Sequence, residues 1–308
     1  MRSLAFVIAG VALGAAACGA SASSESAADL TIGLSVSTMS NPYFVQFRDG
    51  AEAAAQRFGA KLSVSDAQND ASRQAAQVQG FTSRRMRAVI INPVDSNALA
   101  TQVKAANLAG IPVIAADRAI NHAWVAETLT SDNAAGGRLG AQELAKQIDG
   151  KGDVVVLRGT AGTSASRDRS KGFDDGLAAY PKIKVVATQR ADFDRAKGQN
   201  VMTGLIRSHP GLDGVFAEND EMALGAIQAL GPKAGHRVKV VGFDGTPDGI
   251  KAVRAGTMAA TVTQQPRLIG WQAVQDAIKA ARGQTVAKTV AVPVKLATKE
   301  NAHEFWTF

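Results

Sequence analysis

Apolar runs short enough for strands alternate along this chain with stretches of helical spacing, and that alternation limits the fold more than any other feature. The runs are LTIGLSV (30–36), KLSVSD (61–66), AVII (88–91) and IPVIAA (111–116). Helical patterns cover 42–58, 71–85 and 97–109, and Gly59 and Gly110 follow two of them as C-terminal glycines do. Strand, helix, strand at this spacing predicts right-handed crossovers and a parallel sheet. The alternation restarts with AWVAETLT (123–130), a helix over 134–148, and then DVVVLRG, IKVVATQ, DGVFAE, VKVVGF and MAATVTQ. So many units exceed one simple open sheet. Two similar α/β lobes are more economical than one barrel, although a chain of 308 residues is also of barrel length. No solenoid-like repeat appears.

The first residues read differently. Met1-Arg2 is followed by an apolar run from Leu4 to Ala17. That run is shorter than the roughly 20 residues of a membrane span and fits the core of a secretory signal. Ala15-Ala16-Ala17 before Cys18 resembles a bacterial lipobox, which implies acylation of Cys18 and a cell-envelope lipoprotein. Ordinary cleavage after Ala20-Ser21-Ala22 is the alternative, giving a soluble periplasmic or secreted protein. Cys18 is the single cysteine, so the folded part has neither a disulfide nor thiol chemistry. Residues 18–29 are small and polar, a tether.

The formal net charge is +7, which in principle suits nucleic acid or an anionic surface. The charge is thinly spread. Its densest stretch, Ser83-Arg84-Arg85-Met86-Arg87, reads as a solvated helix end. Nucleic acid is therefore not an expected partner.

In open α/β sheets, ligands sit beyond the carboxyl ends of the strands. There this sequence places Ser37, Asn41, Tyr43 and Phe44 (after the first strand), Asp117-Arg118, Arg167, Phe193, Asn219-Asp220, Asp244-Gly245 and Gln264. Read singly, most have an ordinary structural role. Asn219 or Asp220 suits a helix cap, Asp244-Gly245 a turn, Asn41-Pro42 a helix start, and Tyr43 and Phe44 a core. Phe193, between Asp192 and Asp194, has no periodic apolar neighbours. Taken together they point to one site. Carboxylates only accept hydrogen bonds, guanidiniums only donate, and amides do both. Hydroxyls of a sugar satisfy all three, and aromatic faces suit the ring. Two carboxylates (Asp117, Asp244) and two guanidiniums (Arg118, Arg167) sum to zero, so a neutral polyol leaves no buried charge uncompensated.

Other chemistries lack their signatures. GTAGTSAS has no Gly-Lys-Ser/Thr, so it is not a phosphate loop. The four histidines have no metal spacing, and no Gly-x-Ser-x-Gly elbow occurs. Asp117 and Asp244 could imitate a glycosidase pair, but each lies beside a donor expected to keep it ionised. No enzyme activity, cofactor or metal is expected.

STMSNPYFV, INPVDSNAL, IPVIAADR, SDNAAGG, GTAGTSASRDRSKGF, ADFDRAKGQNVM, FAENDEMALGA and VVGFDGTPDGIKAV together carry a resemblance. Over residues 30–302 the chain is similar to periplasmic sugar-binding proteins of ABC importers, the ribose/galactose-type (type I) group, and to D-ribose binders in particular. The resemblance implies an α/β fold of two parallel-sheet lobes joined by a three-segment hinge. The N-terminal lobe would comprise 30–131 plus 265–293, and the C-terminal lobe 132–264 plus 294–308. It places Ser37, Asn41, Tyr43, Phe44, Asp117 and Arg118 on the first lobe, Arg167, Phe193, Asn219 and Asp244 on the second, and Gln264 near the hinge. Phe44 and Phe193 would sandwich the sugar while the charged and amide groups bind its hydroxyls. Tyr43 departs from the pattern, since ribose binders usually show Phe there. The implied function is capture of a neutral monosaccharide, D-ribose above all, by hinge closure in a monomer that delivers it to a permease with a separate ATPase. The implied membrane link is the lipid anchor alone. A sugar sensor serving a chemoreceptor or kinase shares the same lobes. A lactose-repressor-like factor would need an N-terminal helix-turn-helix, where residues 1–29 carry a signal instead.

Overall fold

The computed structural model describes residues 30–305. The signal segment 1–17, the tether 18–29 with Cys18, and the last three residues lie outside them. The expected alternation is present: β1 (Thr31–Val36), α1 (Pro42–Phe58), β2 (Lys61–Asp66), α2 (Ala71–Ser83), β3 (Ala88–Ile91), α3 (Ala100–Leu108), β4 (Val113–Ala116) and β5 (Glu127–Ser131). The chain continues through α4 (Asn133–Gln147), β6 (Lys151–Arg158), α5 (Ser164–Leu177), β7 (Lys182–Arg190), α6 (Arg195–Ser208), β8 (Gly214–Ala217) and α7 (Asp220–Leu230). It closes with β9 (Lys239–Asp244), α8 (Pro247–Ala255), β10 (Ala260–Thr263), α9 (Pro266–Ala281), β11 (Thr289–Val292), β12 (Lys295–Thr298) and a short 3-10 turn over Ala302–Phe305.

Two six-stranded sheets result, not a barrel. One has the order β11-β5-β4-β3-β1-β2 and is parallel throughout. The other has the order β12-β10-β9-β8-β6-β7, with β12 antiparallel to β10 and the rest parallel. The chain passes between the sheets after β5, after β10 and between β11 and β12. These passages lie side by side. Asp132 N–H donates to the Val292 carbonyl at 2.9 Å, and the Gln265 side chain to the Pro293 carbonyl at 3.0 Å. Thr263 Oγ1 donates to the Lys295 carbonyl at 3.1 Å.

Parallel strands with helices on both faces must be apolar on both sides, and β1, β3, β4, β8 and β10 are buried almost throughout. Element starts shift where a backbone donor is missing or diverted. Pro112 has no N–H to offer, so β4 begins at Val113. The 123–126 run stays outside β5 and exposes Trp124, whose carbonyl accepts from Asn107 Nδ2 at 2.8 Å. The region 97–99 is a turn rather than helix, with Asn97 N–H bound to Asp95 Oδ1 at 2.7 Å. At the α4–α5 contact, a Cβ on Gly137 or Gly172 would collide with the facing helix backbone, so close approach selects glycine at both positions.

Glu127, at the start of β5, is fully buried beside Asp276 of α9, whose Oδ1 takes Lys279 Nζ at 2.7 Å. Burial, then the Asp276 charge, pushes its carboxyl from 4.5 up to about 7. In the unfolded chain the ordinary value returns. Between these values the folded state holds the extra proton, so stability falls as pH rises through the window and levels off above it. The slope reaches about 1.4 kcal/mol per pH unit. Urea unfolding at about pH 5 and about pH 8 should show this loss, and Glu127→Gln should reduce it. An unchanged pH dependence in the variant would refute the assignment.

Candidate functional site

Every strand of the first sheet, and all but β12 of the second, ends toward the cleft between the lobes, and the loops there wall one cavity. Its free volume is about 20 Å³, far below the roughly 300–1,000 Å³ of drug-sized pockets, so the two lobes leave little open space between them here. Asn41, Tyr43, Phe44, Asp117 and Arg118 line it from one side; Ala165, Arg169, Phe193, Asn219 and Asp244 line it from the other, with Gln264 at a crossing. A polar mouth bounded by Thr38, Asn69, Asp192 and Arg195 opens outward from it.

On the first lobe, β4 runs directly into Asp117 and Arg118, both buried. Asp117 Oδ1 accepts the Tyr43 hydroxyl at 2.7 Å, and Oδ2 accepts Asn92 Nδ2 at 3.0 Å. Arg118 donates to the Pro93 carbonyl at 3.0 Å, with its Nε 3.6 Å from Asp117 Oδ2. The guanidinium lies between two rings, 5.3 Å from the centre of Phe44 and 5.5 Å from that of Phe193. Its Nε has no hydrogen-bond partner among the described residues. Burial pushes the Arg118 guanidinium down. It pushes the Tyr43 hydroxyl well up, aided by the Asp117 charge, so Tyr43 remains a donor.

On the second lobe the charged pair is Arg169 and Asp244, 3.3 Å apart. Arg169 Nε donates to Asn133 Oδ1 at 2.8 Å and its Nη1 to the Glu218 carbonyl at 2.6 Å, while its plane lies 3.8 Å from the Phe243 ring centre. Gln264 Nε2 donates to Asp244 Oδ1 at 2.7 Å; Gln264 Oε1 is buried without a partner among the described residues. Burial raises the Asp244 carboxyl well above its usual range, and the Arg169 charge opposes that rise. The sequence reading weighed only the neighbouring donor at Asp244; burial works against that donor. Asp220, at the first turn of α7, sets the Asp244 loop by accepting Thr246 N–H at 2.7 Å. Asn219 has two roles: its Oδ1 caps α7 at Met222 N (3.0 Å), and its Nδ2 donates to the Phe193 carbonyl at 3.3 Å.

Three wall residues hold positive φ: Asp117 (66°), Phe193 (59°) and Asp244 (121°). Each costs about 1–3 kcal/mol and is kept only where surroundings overdetermine it. For Asp117 these are the two side-chain bonds above and its own N–H on the Leu129 carbonyl at 2.7 Å.

The cavity gathers nine of the eleven binding residues read from sequence: Asn41, Tyr43, Phe44, Asp117, Arg118, Phe193, Asn219, Asp244 and Gln264. Arg167 is not among them. It lies on the exposed face of α5, bound to Asp168 at 2.9 Å. Arg169 takes its place because residues two apart on a helix point nearly opposite ways, and the buried face runs Ala165, Arg169, Gly172, Phe173, Gly176. That face was visible as helical spacing of small and aromatic residues. Ser37 is buried one layer beneath the wall, its N–H on Asn92 Oδ1 at 3.0 Å. Asn92 itself was missed, although it follows β3 directly and the strand-end rule would have selected it.

The lobes also touch outside the cavity. Ser96 N–H donates to the Gly162 carbonyl at 3.1 Å, Ser164 N–H to Ser96 Oγ at 3.1 Å, and Ala119 N–H to Ser164 Oγ at 2.9 Å. This is a closed arrangement. Among the described residues, no cluster of three or more His, Cys, Asp or Glu is placed to hold a metal ion.

Comparison with known proteins agrees with this architecture. The ribose import binding protein RbsB of Escherichia coli K12 is 46% identical over 86% of this chain and 88% of its own. A periplasmic solute-binding protein of an ABC transporter from Actinobacillus succinogenes, solved with D-allose, superposes with a TM-score of 0.84 at 32% identity, covering 89% of this chain and 99% of that one. The Caulobacter myo-inositol binding protein, solved with myo-inositol, does so at 0.86 and 33%, covering 90% and 95%. A family model, the periplasmic binding protein domain, matches residues 32–285. With the two-lobed parallel-sheet fold, this match makes the chain a member of the periplasmic binding protein family.

Proposed function

We propose that the protein captures a neutral monosaccharide, D-ribose above all, between its lobes and delivers it to an ABC permease driven by a separate ATPase. One observation carries this reading: each lobe contributes a buried Asp–Arg pair to a single small cavity flanked by Phe44 and Phe193. The formal charges of the four groups cancel, and their remaining donor and acceptor capacity matches hydroxyls. The Escherichia coli relative's name supports ribose. The phenol of Tyr43, which occupies one Asp117 oxygen, is the feature that could retune the choice. Capture requires no catalysis and no cofactor. The signal-like residues 1–17 and Cys18 support export and a lipid anchor, and the monomer suffices because one chain completes the site.

Calorimetric titration with D-ribose, D-allose, myo-inositol, arabinose, xylose and galactose tests the substrate. Tight one-to-one binding of ribose, without turnover, is expected; tight binding of another sugar in its place would overturn the ribose reading. Asp117→Ala or Asp244→Ala leaves buried donors unpaired and should weaken binding by about 1–3 kcal/mol, roughly five- to 150-fold. Arg169→Ala should cost at least as much, whereas Arg167→Ala should stay within about 0.5 kcal/mol, as surface changes do. Equal effects at 167 and 169 would refute the assignment of the second guanidinium. Closure has its own test. Ser164→Ala removes an interlobe acceptor outside the cavity and should speed ligand release about three- to tenfold while leaving the association rate nearly unchanged.

A further inference from the structure

The rim of the first lobe opposite the cleft collects a charge pattern that no single sequence window displays. Because all six strands of that sheet are parallel, their N-terminal ends share one edge. Five of the six segments that lead into these strands are 57–61, 83–88, 108–112, 123–126 and 281–288, and they contain seven basic residues and no acidic one; the sixth, before β1, carries Asp29, outside the described residues. Arg57 and Lys61 flank the α1–β2 turn; Arg84, Arg85 and Arg87 lie between α2 and β3; Arg282 and Lys288 lie between α9 and β11. All seven are exposed. Glu127, which follows the segment 123–126, is buried. The other lobe's matching rim interleaves Asp149, Asp213 and Glu300 with its lysines, and Asp213 pairs with Arg237 at 2.6 Å. Cations at helix ends offset the helix dipole, which accounts for Arg57 in the last turn of α1. It does not account for Lys61, Arg85, Arg87 or Lys288, which lie beyond the helices.

Two further observations fall on the same rim. Leu108 is 91% exposed and Trp124 58%, the most exposed of the large apolar side chains among the described residues. They sit on adjacent segments, joined by the Asn107–Trp124 hydrogen bond, and Lys288 Nζ lies 4.4 Å from the Trp124 ring centre. A groove bounded by Thr82, Arg85, Arg87, Ala109 and Ile111 runs along the rim. The chain preceding the described residues also enters here: the Leu30 carbonyl accepts Lys61 N–H at 2.8 Å, and the Thr31 carbonyl accepts Arg87 N–H at 2.8 Å. That preceding chain contains the apolar run Leu4–Ala17 and Cys18.

We propose that this rim docks on an anionic lipid bilayer, the basic residues meeting headgroups while Trp124 and Leu108 enter the interface. Aromatic and aliphatic side chains ringed by Lys and Arg are the composition that interfacial membrane surfaces use. Each basic residue near such a surface strengthens attachment about five-fold. The docking does not depend on acylation of Cys18.

The test reads Trp124 in the full-length protein. Vesicles carry acyl chains brominated to quench indole, and are either phosphatidylcholine alone or a three-to-one (roughly) mixture with phosphatidylglycerol. The emission lost in Trp124→Phe defines the Trp124 signal, so contributions from Trp271 and Trp306 cancel. Quenching of that signal is expected on the anionic vesicles at about 0.1 M salt, weakening as salt rises. It should be several-fold smaller on phosphatidylcholine. The triple variant K61E/R85E/R282E changes exposed residues on three segments and should lower the vesicle partition coefficient at least about a hundredfold, at an unchanged Tm. Equal quenching on both vesicles, none on either, or wild-type quenching in a folded triple variant would overturn the proposal. A triple variant that failed to fold would be replaced by R85E alone, for which a docked fraction equal to wild type overturns it as well.

Discussion

Two opposite-charge pairs, one on each lobe, face each other across a gap from which bulk water is excluded. Desolvating four charges costs several kcal/mol per ion, and mutual attraction offsets this only when the remaining donors and acceptors are filled. The partners supplied by the protein fill part of that capacity: Tyr43 and Asn92 on Asp117, Gln264 and Arg169 on Asp244, Pro93 on Arg118, Asn133 and Glu218 on Arg169. Arg118 Nε and Gln264 Oε1 remain unpaired among the described residues. The pressure of burial is visible in Asp244 pushed up and Arg118 pushed down. A polyhydroxyl ligand relieves both, because each hydroxyl donates to one group and accepts from another. Closure and ligand binding are therefore one event: without the ligand the closed cleft buries groups at a cost, and with it the same groups favour closing.

The strained backbone at Asp117, Phe193 and Asp244 belongs to the same economy. A residue held at positive φ by several hydrogen bonds has little freedom left to lose when the ligand arrives, so less of the interaction free energy goes into ordering the wall. The distortion is stored within each lobe. The Asp117 turn is fixed by β5 and Asn92, and the Asp244 turn by Asp220 and Gln264. The lobes can thus move as preformed halves. In the proposed capture, the three adjacent passages at 132, 264–265 and 293–294 would carry the closure, a few residues absorbing the change in backbone angle.

Much of this was legible in the sequence, and the parts that were not have a common cause. Apolar period and length located the strands, and the rule that ligands collect at strand ends then selected most of the cavity wall. It failed where direction within an element mattered. Arg167 and Arg169 are two residues apart in one loop-to-helix stretch, and only the helical phase set by Ala165, Gly172 and Phe173 decides which faces inward. Asn92 was passed over because the polar residue that follows AVII has neither a charge nor a ring to draw attention, yet it holds the first lobe's carboxylate. Positive φ at Phe193 could not be read at all, since it is imposed by the surrounding packing: its ring seats on Gly159, where a Cβ would occupy the same space.

The same limitation explains why the basic character looked diffuse. Seven cations spread over more than two hundred residues of sequence form no window of high charge, but strand direction gathers them. In a parallel sheet every helix starts at one edge and ends at the other, so residues that follow strands meet at one rim and residues that precede strands meet at the opposite one. The first rim faces the other lobe and holds the ligand groups. The second has no second lobe to face, and strand direction gathers there the seven basic residues, the exposed Trp124 and Leu108 and the arrival of the chain at Leu30, from stretches far apart in sequence. Strand direction thus separates the protein into a closing face and an outer face, with a parallel sheet rich in buried Val, Ile and Leu between them.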